Sequence, residues 1–79
     1  MKPKILIVGA GDIGAHLARR LCESWDVAVL DLDPEALESP LLSGCATRLA
    51  GDGTSAMILR QAGAEEADTL VAATDSDAV

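Results

Sequence analysis

The chain contains no phenylalanine and no tyrosine, and only one tryptophan and one histidine among its 79 residues. With so little aromatic bulk the core must be aliphatic. The lone histidine, His16, stands apart from the apolar steps Ile13, Leu17 and Leu21 of its segment and reads as a solvated helix residue. Cysteine is nearly absent as well. Cys22 and Cys45 form no CxxC motif and no Cys/His cluster. They read as two buried or half-buried thiols of a reducing cytosol, with a disulfide or a metal site as the alternative. Positive charge is scarce, with six Lys and Arg against 13 Asp and Glu and a net charge of −7. Such a surface repels nucleic-acid phosphates and anionic lipid, so neither is expected as a partner. No apolar run approaches the roughly 18 residues of a membrane span. Met1-Lys2-Pro3-Lys4 leads into an apolar run too short for a secretory signal, so no targeting segment is expected.

What is present is a strong aliphatic framework. Hydrophobic residues make up 49% of the chain, enough for a packed core in at most one small domain, of which residues 1–79 read as the N-terminal part. A domain of this size is expected to have a stability margin of only about 3–5 kcal/mol. Ile5 to Val8 is branched and apolar without alternation, the pattern of a strand covered on both faces in a parallel sheet. Asp12 to Ser24 changes to a helical period, with Ile13, Leu17 and Leu21 as the expected inner face. Val27 to Leu30 is a second buried strand, preceded by Trp25 as a packing residue at the core edge.

Asp33-Pro34-Glu35 opens a second helix that Pro40 interrupts and Ser43-Gly44 ends. Cys45 to Ala50 reads as a weaker edge strand. Thr54 is the expected cap of a third helix through Met57, Ile58 and Leu59 to Gln61, closed by Gly63. Thr69 to Thr74 reads as a fourth buried strand, and Asp75-Ser76-Asp77 as a further helix cap. The order predicts a Rossmann-like α/β fold: a doubly wound parallel sheet truncated to about four strands, in spatial order 3-2-1-4, with three helices. The free edge of an apolar fourth strand leads us to expect self-association, element swapping or membership of a longer polypeptide.

The ligand class is named by Gly9-Ala10-Gly11-Asp12-Ile13-Gly14, placed between the first strand and the first helix, with Asp31 about 20 residues further on. In this fingerprint Gly9 allows the tight turn, Gly11 admits a pyrophosphate to the backbone and Gly14 lets the helix approach the sheet. The helix mouth supplies unpaired amides and a positive dipole end. Asp31 is expected to accept hydrogen bonds from a ribose. The residues after it are Leu32 and Asp33, with no cation, so a 2′-phosphate is disfavoured and NAD(H) preferred over NADP. Asp33 reads chiefly as a helix cap. Asp12 is expected to turn its carboxylate to solvent. Asp52, in Gly51-Asp52-Gly53-Thr54, and Thr74 with Asp75 end the third and fourth strands, at the edge where such sheets bind ligands. No set of residues has the arrangement of a catalytic site, so the chain reads as a binding module and not an enzyme.

Three segments resemble the N-terminal domain of the TrkA and KTN type, also called the RCK domain. They are Ile7 to Gly14, Leu30-Asp31-Leu32-Asp33-Pro34, and the run from Gly51-Asp52-Gly53-Thr54 through Leu59-Arg60-Gln61-Ala62-Gly63-Ala64 and Ala67-Asp68 to Ala73-Thr74-Asp75-Ser76-Asp77. The resemblance covers most of the chain and the first half to two-thirds of that domain; Pro40 departs from its unbroken second helix. It implies binding of NAD(H), with ATP or ADP as alternatives, and assembly into dimers and rings on the cytoplasmic face of a membrane-embedded potassium transporter or channel. By position it implies a phosphate loop at Gly9 to Gly14, a ribose carboxylate at Asp31, and a lining of Asp52, Thr74 and Asp75. Two rival readings are the cofactor half of an NAD-dependent dehydrogenase of the saccharopine-dehydrogenase sort, and a structural half-domain with a vestigial site.

Overall fold

The computed structural model describes residues 2–53, 55–61, 63 and 65–73. Its elements run β1 (Lys4–Val8), α1 (Asp12–Leu21), β2 (Asp26–Asp31), two short 3-10 helices (Ala36–Glu38 and Pro40–Leu42), β3 (Thr47–Ala50), α2 (Ala56–Gln61) and β4 (Thr69–Ala72). The four strands are parallel and ordered β3-β2-β1-β4, as the alternation of strands and crossovers predicts. β1 and β2 form the centre. Ile5, Leu6 and Ile7 are 4%, 1% and 0% exposed, so β1 is covered on both faces.

The two faces of the sheet are closed differently. Ile5 and Ile7 pack with Val27 and Val29 beneath α1 and the 3-10 segment, in one cluster with Ala15, Ala18, Leu37 and Leu42. The opposite face carries Leu6, Leu30 and Leu49. Among the described residues α2 and the Gly53 loop lie over it, and an open groove runs past Leu6, Ala28, Thr47 and Leu49 to Arg60 and Gln61.

Four expectations change. The second helix is two 3-10 turns, so the described residues hold two α-helices and two 3-10 helices. Local acceptors explain this. Asp33 Oδ1 takes the Glu35 amide at 2.9 Å, and Ser39 Oγ takes the Leu41 amide at 3.3 Å. Pro40 begins the second turn without a donor of its own. Asp33 thus bonds the turn ahead of the first 3-10 helix, whose N-cap is Glu35 without a side-chain cap. Secondly, Ile13 is not on the inner face but 64% exposed. The residues of α1 that meet the sheet are the small Gly14, Ala15 and Ala18, which let the helix approach closely, while Leu17 and Leu21 pack from the side.

Thirdly, β4 is an exposed edge rather than a buried strand; Leu70 is 53% exposed. It pairs with β1 alone among the described strands. Fourthly, β3 begins at Thr47 rather than Cys45, although it is the edge strand its composition suggests. Thr54, Thr74 and Asp75-Ser76-Asp77 lie outside the described residues. The amide of Ile58, in the first turn of α2, bonds Ser55 Oγ at 3.4 Å. His16 is exposed, and Trp25 packs against the core, both as expected.

Candidate functional site

The carboxyl ends of the strands are tied into one rim by short backbone bonds. Gly9 donates to the Leu30 carbonyl at 2.7 Å, Gly51 to the Asp31 carbonyl at 2.9 Å, and Ala73 to the Val8 carbonyl at 2.7 Å. The loops after β1, β2 and β3 and the end of β4 therefore meet on one edge, which is where open α/β sheets take ligands.

Gly9 turns the chain out of β1 at φ 111°, in the region that favours glycine. Gly11 is the N-cap of α1, and the first intrahelical bond runs from the Ala15 amide to the Gly11 carbonyl at 2.8 Å. A Cβ on Gly14 would overlap the carbonyl oxygen of Gly9. Glycine at this position is thus what allows the turn and the helix mouth to lie against each other. The amides of Gly11, Asp12, Ile13 and Gly14 open the helix and have no carbonyl of their own helix to bond. They form the cationic end of the α1 dipole.

Asp31 ends β2 beside that mouth. Its Oδ2 accepts the Ala10 amide at 2.6 Å, and its Oδ1 accepts the Asp33 amide at 2.8 Å. One half-buried carboxylate thereby fixes the glycine loop to the turn after β2. The Ala10 amide is spent on this bond, so the anion-facing donors of the loop begin at Gly11. Each carboxylate oxygen retains a second lone pair for another donor.

Asp12 is exposed, as expected of a carboxylate that avoids the helix mouth. Asp52 is also exposed and lies on the same rim; its carbonyl accepts the Ser55 amide at 3.1 Å. The loop carrying it is seated on the core, since a Cβ on Gly53 would stand 2.5 Å from Val8 Cγ1. Of the residues expected at the site, Gly9, Ala10, Gly11, Asp12, Ile13, Gly14, Asp31 and Asp52 are gathered on this edge. Thr74 and Asp75 are outside the described residues.

Two apolar residues were missed as rim residues. Leu32, directly after β2, is 71% exposed, and Met57, in the first turn of α2, is 65% exposed. With Ile13 they place three large apolar side chains at the carboxyl-edge loops and helix starts, otherwise populated by carboxylates. The available signal was Leu32 itself, an apolar residue set between two aspartates just past a strand. Among the described residues no group of three or more His, Cys, Asp or Glu could hold a metal ion. None of their helices is long and apolar enough to cross a membrane.

Comparison with known proteins bears on the same residues. The model of the TrkA-N domain matches residues 5–79. The chain is 43% identical over 77 residues to the Trk system potassium uptake protein TrkA of Halomonas elongata, covering 96% of this chain and 17% of that protein. It is 34% identical over 76 residues to a TrkA homolog of Archaeoglobus fulgidus and 36% identical over 77 residues to TrkA of Haemophilus influenzae, again covering 96% of this chain and 17% of each relative. The chain thus spans about a sixth of these relatives' length, and the residues matched by the family model, 5–79, include the glycine loop, Asp31 and the Asp52 loop. The strand order, the glycine turn locked by Gly14 and the extent of the match together make this chain a member of the TrkA-N domain family.

Proposed function

We propose that the chain is a nucleotide-sensing regulatory domain of a potassium uptake system. The amides of Gly11 to Gly14 receive the diphosphate of an adenine nucleotide at the α1 mouth. Asp31 accepts the hydroxyls of the attached ribose, and Asp52, Thr74 and Asp75 complete the lining. NAD(H) is the preferred ligand, because no cation follows Asp31 to receive a 2′-phosphate; ATP and ADP share the same diphosphate chemistry. The observation that carries this reading is the 2.6 Å bond from the Ala10 amide to Asp31 Oδ2, which holds the carboxylate at the end of β2 against the glycine loop. Each Asp31 oxygen keeps a lone pair for a ribose hydroxyl while it holds its loop amide.

In this reading the ligand is read and not consumed. A nucleotide that prefers one arrangement of a homo-oligomer shifts its equilibrium and, through a membrane-embedded potassium transporter or channel, the gate. The domain acts in the cytoplasm at the inner face of the membrane, held there by its partner. The names of its relatives, Trk system potassium uptake proteins, support the potassium assignment.

Calorimetry with NADH, NAD, ATP and ADP tests the ligand. We expect saturable binding of at least one of them, and a loss of roughly tenfold or more in Asp31→Ala, in line with about 1.5–3 kcal/mol for a hydrogen bond to a charged group. Circular dichroism of the variant separates lost binding from lost folding. Undiminished affinity in folded Asp31→Ala would remove the proposal.

A further inference from the structure

The two cysteines, far apart in sequence, meet at the amino edge of the sheet, away from the nucleotide rim. Cys22 caps the carboxyl end of α1, and Cys45 lies in the turn before β3. A single oxygen, the Ala18 carbonyl, accepts both the Cys22 amide at 3.0 Å and the Cys45 thiol at 3.3 Å. The Cys22 thiol donates to the next carbonyl of the helix, that of Arg19, at 3.3 Å. Both thiols are free and half-buried, and both line one solvent-open groove with Lys2, Trp25 and Gly44. Partial burial, and then the adjoining Cys22 thiol within hydrogen-bonding reach, raise the Cys45 pKa from 9.0 to about 11. Cys45 therefore remains a thiol at neutral pH.

We propose that Cys22 and Cys45 are a reversible dithiol–disulfide site, oxidised by peroxide and reduced by small thiols, that ties the end of α1 to the start of β3. Peroxide transfers one oxygen to the Cys22 sulfur, giving a sulfenic acid and one water. The Cys45 thiol then gives up its proton, more readily as pH rises towards its pKa of about 11, and its sulfur attacks that sulfur. The S–S bond forms, the S–O bond breaks, and the hydroxyl leaves with the Cys45 proton as a second water. The two thiols lose two electrons and two protons, and the peroxide takes them up. Two equivalents of a small thiol reverse the change by exchange through a mixed disulfide. The closed loop contains β2 and both 3-10 helices, so oxidation restricts the unfolded chain over the segment that carries Asp31.

The test treats the whole chain with hydrogen peroxide under native conditions and reads intact mass, alkylation and linked peptides. The expected result is a monomer lighter by two hydrogens, with both cysteines protected from alkylation, a Cys22–Cys45 peptide pair, and restoration by dithiothreitol. The oxidised chain should melt roughly 10 °C higher. Cys22→Ser and Cys45→Ser should gain oxygen or cross-link between chains, without the two-hydrogen loss. Native chain that keeps both thiols open to alkylation, gains only oxygen, or forms only bonds between two chains overturns the proposal. These readouts come from the unsubstituted protein and do not depend on either variant folding.

Discussion

At the scale of single residues, Asp31 and Gly14 carry more of the arrangement than their neighbours, for opposite reasons. Asp31 acts through its side chain, holding the Ala10 and Asp33 amides on its two oxygens. Gly14 acts through having none, since any Cβ there would overlap the Gly9 carbonyl. Gly14→Ala must push α1 away from the turn or bend the turn out of shape. Overpacking of this kind costs about 1–3 kcal/mol, a large part of a margin of about 3–5 kcal/mol. We expect a clear fall in the urea midpoint of Gly14→Ala and weaker nucleotide binding in whatever fraction stays folded. A midpoint equal to that of the unsubstituted chain would show that the contact is not as close as described. Both residues could be picked out from sequence, because their spacing alone defines the fingerprint. That the Ala10 amide is spent on Asp31 could not, because that bond joins residues 21 positions apart.

At the scale of elements, the second crossover shows how local bonds and packing divide the work. Its composition contains the reason no α-helix forms, in Asp33, Ser39 and Pro40. The two 3-10 turns would be marginal alone and persist because Leu37 and Leu42 are inserted into the main core, Leu42 at 0% exposure. Leu42→Ala should therefore cost about 2–5 kcal/mol. Thermal denaturation should find the variant largely unfolded at 37 °C, whereas truncation of the exposed Leu32 to Ala should leave the melt unchanged. A small loss in Leu42→Ala would mean that the segment is an ornament on the sheet and not part of its core. The misassignment of Ile13 has a similar origin. A four-residue apolar step marks a helix face, but which stripe turns inward was set by the small residues Gly14, Ala15 and Ala18, where α1 must come closest to β1.

At the scale of the whole molecule, the two faces of the sheet are unequally closed and, among the described residues, both outer strands are edges. α1 and the 3-10 segment seal one face, while α2 leaves a groove along the other. β4 presents Leu70 on that poorly covered side, next to a backbone edge that no described strand pairs. We expect concentration-dependent self-association of the isolated chain by light scattering, and its reduction by Leu70→Lys, because a charge beside an open edge opposes strand addition. A chain that is monomeric at every concentration would remove the expectation.

The order of strands, the glycine turn, the carboxylate at the end of β2 and the edge character of β3 were determined by the sequence alone. Each depends on local periodicity, on a residue lacking a side chain or on fixed spacing, which are properties of short stretches. The exposure of β4 and Ile13, the Asp31–Ala10 bond and the meeting of Cys22 with Cys45 on one helix end were decided only by the tertiary structure. Each depends on which distant surfaces come to cover one another, and one-dimensional pattern does not encode that.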